Sequence, residues 1–296
     1  MSLGRSSSLL VVGQGCCHGS FGELLQGALA QGKEFLVTLP IALKSRVTFI
    51  ATVGTVGTND KKSSEVVVYP SHKRKAGQVA ARMLNHFKLP HSGYLLLESE
   101  LPEGKGLASS TADLVATIRA IKSAYKLKVS HTLLFQLLRE VEPSDGVMYT
   151  HAVAFFHREV KILRHLGKLP PLMIVAIDDG GVVDTIEYNK RQKSYSQAHF
   201  RLYKKLLESV PSALSSVSSL GKISTKSAYL NQEFCPKKKF EKVITITKEL
   251  NLSNRVVVAH SGTFMGVMLS PLERHYTEYH KLLSAKLKRS RQILAL

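Results

Sequence analysis

The chain has 296 residues, with 41 lysines and arginines against 22 aspartates and glutamates, which gives a formal net charge of +19. Hydrophobic residues make up 44% of the sequence and charged residues 21%. This mixture excludes an intrinsically disordered chain, because disorder requires few apolar residues together with high charge. The length allows one large domain or two smaller ones, and a sizeable core in either case.

No apolar run reaches the roughly 18 residues that a membrane span needs. The first apolar stretch, residues 9–12, is also shorter than the core of a signal peptide, about 7–15 residues. Cysteine occurs only at Cys16, Cys17 and Cys235, without CxxC or HExxH spacing. We therefore expect no disulfide framework, no structural zinc site, no membrane contact and a cytoplasmic location.

The excess positive charge raises the question of nucleic-acid binding. Basic residues cluster at Lys61–Lys62, Lys73–Arg74–Lys75, Lys237–Lys238–Lys239 and residues 286–291. Few aromatic residues are interleaved with these clusters, so they offer no stacking platform for single strands. We expect a solvated basic surface or one that attracts anionic ligands such as nucleotides, and no dedicated nucleic-acid binding.

The first hundred residues predict mainly strands. Residues 45–53 alternate, with Val47, Phe49, Ala51 and Val53 on one face, which is typical of a strand. Similar reasoning predicts a flexible start over 1–10, a hairpin loop over 54–64, strands over 65–69 and 94–98, and a helix over 78–87 that ends before Pro90.

A long helix is predicted over residues 109–125. Its apolar residues fall on one side of a helix, at Leu114, Val115, Ile118, Ile121 and Tyr125. Three hydroxyl residues precede them at positions where N-caps occur. Further along, the patterns predict helices over 132–141, 200–220 and 240–250, strands over 172–177, 256–259 and 264–269, and an amphipathic helix over 281–296 that packs on the body.

The order of these elements lacks a regular βαβ alternation, which favours an α+β fold over a doubly wound sheet. Two consecutive prolines, Pro170 and Pro171, suggest a boundary near residue 170. We therefore expect two domains, covering residues 1–170 and 171–296.

Residues 101–113, LPEGKGLASSTAD, lie between a predicted strand and a predicted helix. Gly104 and Gly106 allow the backbone to approach a ligand closely, and the helix N-terminus adds unpaired N–H groups and a positive dipole end. The segment is neither a Walker A loop nor a GxGxxG fingerprint. The residues alone leave two interpretations open: a phosphate-binding loop, and a glycine-rich turn followed by an ordinary serine cap.

Two further segments have a similar composition. Residues 19–27, GSFGELLQG, hold one acid between glycines, and residues 258–268, VAHSGTFMGVM, run from a strand into a Gly-Ser loop. Together with residues 102–112, which satisfy PxxxGLxSSxA, they resemble the three motifs of the GHMP kinase superfamily. The resemblance covers about residues 14–269, with one departure at Ala108, where many members have glycine.

Within that superfamily the chain is most similar to the L-threonine kinases of cobalamin synthesis. Four segments match in the same order: GELxQG at 22–27, KGxASSTAD at 105–113, EPTD at 142–145 with Ser144 for threonine, and AHSG at 259–262. One departure is His18–Gly19, where that family commonly has Pro-Ala.

The resemblance implies a GHMP kinase fold, with an N-terminal half like ribosomal protein S5 domain 2 and a ferredoxin-like C-terminal half. It implies transfer of the ATP γ-phosphoryl to the hydroxyl of L-threonine, with Mg²⁺, giving O-phospho-L-threonine and ADP for the aminopropanol linker of adenosylcobalamin.

The resemblance also implies roles for individual residues. Asp145 would accept or orient the substrate hydroxyl proton, assisted by Lys105 and Ser110, while Ser110 and Glu142 would bind magnesium. The nucleotide phosphates would lie against Pro102, Glu103, Gly104, Lys105, Gly106, Leu107, Ala108, Ser109, Ser110 and Thr111. The acceptor would lie against Ser20, Glu23, His260, Ser261, Gly262 and Thr263, with Glu23 paired to its ammonium group.

Each of these side chains also has a structural interpretation, such as a solvent-exposed lysine, a capping serine, an acidic turn or a buried histidine. Two other functions stay open: a kinase for another small hydroxylated acceptor such as homoserine or serine, and a non-catalytic nucleotide-binding protein on the same scaffold. The sequence does not select the cation that would bind the carboxylate of an amino-acid acceptor, nor an oligomeric state.

Overall fold

A computed structural model describes residues 9–53, 65–181, 193–288 and 290–296. The predicted hairpin loop over 54–64 lies outside these residues, as does the predicted flexible start up to residue 8. The basic pair Lys61–Lys62 lies outside them as well.

The described residues form strands and helices in mixed order. The strands are β1 (Leu9–Leu29), β2 (Lys33–Val53), β3 (Val66–Tyr69), β4 (Gly93–Ser99), β5 (Ala152–Phe156), β6 (Lys161–Gly167), β7 (Met173–Asp178), β8 (Val256–Val258), β9 (Phe264–Leu269) and β10 (Arg291–Leu294). The helices are α1 (Arg74–His86), α2 (Ser109–Ala124), α3 (His131–Arg139), α4 (Gln197–Ala213), α5 (Val217–Asn231), α6 (Phe240–Glu249) and α7 (Tyr276–Lys286).

The chain divides into two compact units that interleave along the sequence. Unit 1 comprises Met1–Cys17, Lys44–Glu100 and Ser110–Pro143, and unit 2 comprises His18–Leu43, Leu101–Ser109 and Ser144–Leu296. Strands β1 and β2 are each divided between the two units, with one part in unit 1 and the other in unit 2. The domain boundary expected near residue 170 stays a prediction.

In unit 1, β4 pairs with β2 on one side and with β3 on the other. The pairing with β2 is antiparallel, with Phe49 opposite Leu95, and the pairing with β3 is parallel. Helix α1 packs against β3 and against α3. Alternate strand residues and the apolar stripes of the helices form the core, at Val47, Phe49, Ala51, Val79, Met83, Leu95, Leu114 and Ile118.

In unit 2, the strands lie in the order β10, β7, β9, β8 and β1, with antiparallel neighbours throughout. The first part of β2 pairs with β5, and β5 pairs with β6. Helices α6 and α7 cover a core that includes Val175, Ile244, Val256, Val267, Leu269 and Leu283. Glu23 on β1 lies opposite Val258 on β8, so the first and third motifs are neighbours.

The α+β fold class is confirmed, and most predicted elements match observed ones within a few residues. The helix expected over 109–125 is α2, and those over 132–141 and 240–250 are α3 and α6. The helix expected over 78–87 is α1, which begins earlier, at Arg74. No helix of the described part of the chain is long and apolar enough to cross a membrane.

Two helix predictions were wrong. The segment 200–220 contains the end of α4 and the start of α5, because Ser216 has extended backbone and its hydroxyl accepts a hydrogen bond from the Ser219 N–H, which begins a second helix. The segment 281–296 is not one helix: α7 ends at Lys286, and Arg291–Leu294 forms β10, where Ile293 is buried and its neighbours are exposed.

The sequence patterns missed three strands. Strand β1, which contains residues 19–27, was not predicted, because glycines interrupt its apolar pattern. Strands β5 and β6 were also missed. In β5 the first four residues are buried, so the strand lacks the alternation that identifies a half-buried strand.

Candidate active site

The loop Leu101–Ser109 in unit 2 connects β4 to α2, and its carbonyl groups are held by the first and third motifs. The carbonyl of Lys105 accepts hydrogen bonds from the N–H groups of Thr263 and Phe264, both at 3.2 Å. The carbonyl of Gly106 accepts from Gly22 at 3.1 Å, and that of Leu107 accepts from Ser20 at 3.2 Å. Three segments far apart in sequence therefore meet at this loop.

The amide groups of the same loop are not used in this way. From Gly104 to Ala108 no backbone N–H donates a hydrogen bond within the part of the chain that the structure describes. A row of unpaired amides next to the N-terminus of α2 is a suitable binding site for phosphate oxygens.

Alternate residues of the loop have left-handed backbone, with φ of 66° at Gly104, 82° at Gly106 and 57° at Ala108. An L-residue with a side chain has a steric cost of about 1 kcal/mol or more in this region. This cost explains why glycine is common at the position of Ala108 in the superfamily that the sequence resembles.

Gly262 makes the closest contact between the third motif and the loop. A side chain at Gly262 would overlap the backbone of Lys105, and one at Gly106 would come within 3.0 Å of the Gly262 Cα. Both positions therefore require glycine for the two backbones to touch.

Lys105 points to the end of β7. Its Nζ lies 2.7 Å from Oδ2 of Asp178 and donates to the carbonyl of Gly181 at 2.6 Å. Asp178 also accepts a hydrogen bond from the Thr263 hydroxyl at 2.5 Å. Burial opposes the charge of Asp178, but Lys105 and Thr263 outweigh it and hold the pKa of that carboxyl below its usual value. Lys105 thus anchors the loop, and its action on a phosphate stays a prediction.

Ser110 and Glu142 are in contact in unit 1. The Ser110 hydroxyl donates to Oε1 of Glu142, and Oε2 of the same carboxylate pairs with Lys75 on α1. Across the described residues no group of three or more His, Cys, Asp and Glu side chains is placed to hold a metal ion. Magnesium needs only one or two carboxylates besides phosphate oxygens, so a hydroxyl and a carboxylate side by side fit that ion.

Glu23 and Asp145 form an acidic feature of unit 2. Glu23 is only 4% exposed, and its Oε2 has no hydrogen-bond partner among the described residues. Burial, and secondarily the negative charge of Asp145, raise the pKa of Glu23 well above its usual value. A buried carboxyl group with an unsatisfied oxygen, under the influence of a second negative charge, favours a cationic group.

The remaining residues expected to contact the acceptor differ in their burial and in the hydrogen bonds that they make within the protein. The Ser20 hydroxyl donates to the Gly22 carbonyl and accepts from the Leu39 N–H, both at 2.9 Å, so it supports the backbone of β1. His260 is buried and its Nδ1 lies 2.6 Å from Oε1 of Gln26. Burial, with nearby Lys193, lowers the pKa of His260 well below its usual value. Ser261 is partly exposed.

The other residues expected to contact the nucleotide lie along the loop and the first turn of α2. Leu107, Ser109 and Thr111 are buried, Pro102 is partly buried and Glu103 is exposed. Of the residues with unpaired amides, Leu107 is buried and Gly104, Lys105, Gly106 and Ala108 are partly exposed.

Sequence reasoning missed a buried ionic cluster in unit 2. Glu34 on β2 pairs with Arg158 at 2.6 Å and with Lys193 at 3.0 Å, and accepts a hydrogen bond from the Tyr195 hydroxyl at 2.9 Å. His157 lies beside them, and burial lowers its pKa to about 4. The residues of this cluster come from three separate segments of the chain, so no local sequence motif identifies them.

His18, the departure from the Pro-Ala pattern, is buried in unit 2. Its Nδ1 lies 2.8 Å from the Gly19 carbonyl and its Nε2 lies 3.0 Å from the Tyr149 carbonyl. The histidine thus joins the start of the first motif to the segment after Asp145.

Comparison with known proteins identifies the family and relatives of this chain. Residues 74–156 match the family model described as GHMP kinases N terminal domain. The chain is 30% identical over 274 residues to the L-threonine kinase of Citrobacter freundii, covering 90% of this chain and 88% of the relative. It is 28% identical to the L-threonine kinase of Salmonella typhimurium strain LT2, with 86% and 81% covered.

Solved structures show the same fold. The crystal structure of homoserine kinase from Cytophaga hutchinsonii superposes with a TM-score of 0.68 at 13% identity, and covers 96% of this chain and 94% of that one. The likeness at this identity concerns the fold alone.

The chain belongs to the GHMP kinase family, as its motifs predict. It is a phosphotransferase with an alcohol group as acceptor, and the relatives that it matches over most of their length are called L-threonine kinases.

Proposed function

We propose that this protein transfers the γ-phosphoryl group of ATP to the hydroxyl of L-threonine, giving O-phospho-L-threonine and ADP. The observation that carries the proposal is the buried carboxyl group of Glu23, which lies beside the negative charge of Asp145 and has one oxygen without a hydrogen-bond partner among the described residues. An acceptor with an ammonium group and a hydroxyl on neighbouring carbons satisfies both carboxyl groups. The names of the relatives support the same acceptor.

The amides from Gly104 to Ala108 would bind the nucleotide phosphates. Their carbonyls are already held by Ser20, Gly22 and the third motif, so the loop needs little rearrangement on binding. Preorganised N–H groups are effective in phosphoryl transfer, since catalysis there consists mainly of positioning and charge neutralisation.

Ser110 and Glu142 would hold Mg²⁺ through their side-chain oxygens. The ion supplies neutralisation of the phosphate charge during transfer. Lys75, which pairs with the other oxygen of Glu142, orients that carboxylate.

Asp145 would accept the proton of the threonine hydroxyl as its oxygen attacks the γ-phosphorus. Glu23 would pair with the threonine ammonium. With no cation bound, burial and Asp145 favour protonated Glu23, and an ammonium group restores the ionised form. The acceptor would thus place its ammonium group beside Glu23, with its hydroxyl directed at Asp145.

By resemblance, the product would supply the aminopropanol linker of adenosylcobalamin. A non-catalytic nucleotide-binding protein would not need Ser110, Glu142 and Asp145 together, and all three are retained.

The test is ADP release from Mg·ATP by the purified protein with L-threonine, L-serine, L-homoserine, D-threonine or no acceptor. We expect strong stimulation by L-threonine and much weaker stimulation by the others. Stimulation by serine or homoserine instead would keep the kinase and reject this acceptor. ATP binding without stimulation by any acceptor would contradict the proposed reaction.

A further inference from the structure

Lys237 is a buried lysine that none of the motifs includes. It lies three residues before α6, is 7% exposed, and its ammonium donates to the carbonyl of Gly262. It also lies 3.1 Å from Sγ of Cys235. An ammonium has three donors, and a carbonyl and a weakly accepting sulfur use two of them.

The charge of Lys237 has no carboxylate partner in the part of the chain that the structure describes. The side chain of Lys193 in the same unit is 6% exposed, and it pairs with Glu34 at 3.0 Å. The next residue, Lys238, has an exposed side chain. A buried cation without a counter-ion has a large desolvation cost, so the surroundings of Lys237 favour an anionic ligand.

The position of this ammonium relates it to the candidate active site. Gly262, whose carbonyl it contacts, lies against the backbone of Lys105 and Gly106. Gly262 is two residues from His260, so the ammonium is held at the same short loop as that histidine. The segment from Val258 to Gly262 therefore faces Glu23 at one end and Lys237 at the other.

We propose that Lys237 binds the carboxylate of the amino-acid acceptor while Glu23 binds its ammonium group. Among the described residues of unit 2, Glu23 is a buried acid with an unsatisfied oxygen and Lys237 is a buried cation without a carboxylate partner, and a zwitterionic α-amino acid supplies the opposite charge to each. This inference rests on the proposed function and extends it, because it makes the enzyme selective for amino acids over amino alcohols and amino amides.

The test compares L-threonine with L-threonine amide, which keeps the ammonium and hydroxyl but has no carboxylate. Binding of each is measured by calorimetry, and ADP release in parallel, for the wild type, Lys237→Gln and Lys238→Gln. Glutamine retains an N–H donor for the Gly262 carbonyl and removes the charge. The exposed Lys238 is the matched control, and Lys237→Arg retains the charge should the glutamine variant fold poorly.

We expect the wild type to prefer L-threonine over the amide by about 30-fold or more, as for other buried charge pairs. Lys237→Gln should bind both equally weakly, Lys238→Gln should behave as the wild type, and Lys237→Arg should retain part of the preference. Binding of Mg·ATP should be unchanged in all of them.

Three results would overturn the inference. If Lys237→Gln retains the preference while L-threonine is phosphorylated, Lys237 is not the carboxylate ligand and the proposed function stands. If Lys237→Gln weakens Mg·ATP binding and leaves the preference intact, the ammonium binds phosphate. If the wild type phosphorylates neither compound, the proposed function fails and the carboxylate assignment fails with it.

Discussion

Glu34 and Glu23 belong to the same compact unit and are 7% and 4% exposed. The charges around them are opposite: cations surround Glu34, whereas Glu23 has a negatively charged neighbour. Burial opposes the charge of Glu34, but Lys193, Arg158 and Tyr195 outweigh it and hold its pKa below the usual value. Oε2 of Glu34 thus contacts Arg158, and Oε1 contacts Lys193 and the Tyr195 hydroxyl. Its charge is satisfied within the chain, which is the pattern of a residue that maintains structure.

Glu23 has the opposite pattern. Burial and the neighbouring Asp145 raise its pKa, and one of its oxygens has no hydrogen-bond partner in the described residues. A protein retains such a group at a cost in stability. The difference indicates that Glu34 stabilises the fold, whereas the unpartnered oxygen of Glu23 is suited to bind a ligand.

The largest effect is expected from Asp145→Asn. Removing the group that accepts the hydroxyl proton should lower kcat by about 10²–10⁴-fold, the range for general-base catalysis. Binding of Mg·ATP should change little, because the loop amides do not depend on Asp145. Steady-state kinetics and nucleotide titration measure the two effects, with the exposed Glu140→Gln as the control. Near-normal turnover would remove Asp145 from the mechanism.

Glu34→Gln should affect stability rather than acceptor binding. The change leaves Lys193 buried without its carboxylate, and breaking a buried ion pair in this way costs about 3–5 kcal/mol. Denaturant unfolding measures the loss. The exposed pair of Glu249 and Lys286, 2.7 Å apart, is the control, since Glu249→Gln should cost less than about 1 kcal/mol. Equal effects of the two variants would contradict the structural role of Glu34.

Glu23→Gln should weaken acceptor binding by about 30-fold, because a neutral amide replaces the partner of the ammonium group. Its stability should equal or exceed that of the wild type, since the change removes a buried acid next to Asp145. The KM for L-threonine and the unfolding free energy are the two readouts. A large loss of stability with unchanged KM would assign Glu23 to the fold and remove the contrast with Glu34.

The two glutamates should make contributions of opposite sign to the free energy of unfolding, and each contribution should depend on pH. Glu34 has a lowered pKa, so its contribution is present above the ordinary value of 4.5 and is lost as the pH falls through its folded-state pKa. Glu23 has a raised pKa, so its unfavourable contribution is absent below 4.5 and grows as the pH rises through its folded-state pKa. Each pKa unit corresponds to about 1.4 kcal/mol.

Thermal unfolding of the wild type and both glutamine variants across pH 3–8 measures this contrast. The deficit of Glu34→Gln should shrink on acidification, whereas the advantage of Glu23→Gln should grow as the pH rises. Parallel curves for the two variants would contradict the opposite surroundings of these residues.

The sequence predicted the local parts of this account well. The loop at 101–109 and the helix after it depend on residues close together in the chain, and glycine spacing and apolar periodicity describe such elements directly. The contact between Ser110 and Glu142 was expected from resemblance, and the structure places these side chains together.

The parts that the sequence did not predict depend on tertiary contacts. The cluster around Glu34 joins residues more than 120 positions apart, and Lys237 is distinguished from its exposed neighbours only by burial. The final strand β10 was mistaken for a helix, because a short basic and apolar alternation near an edge fits either structure until its pairing with β7 is known.

The most direct measurement is the identity of the product. The wild type and Asp145→Asn are incubated with Mg·ATP and L-threonine, and the mixture is followed by ³¹P NMR. The account predicts one O-phospho-L-threonine formed per ADP by the wild type and very little by the variant. Release of inorganic phosphate in place of a phosphothreonine signal, or equal product from both proteins, would contradict it.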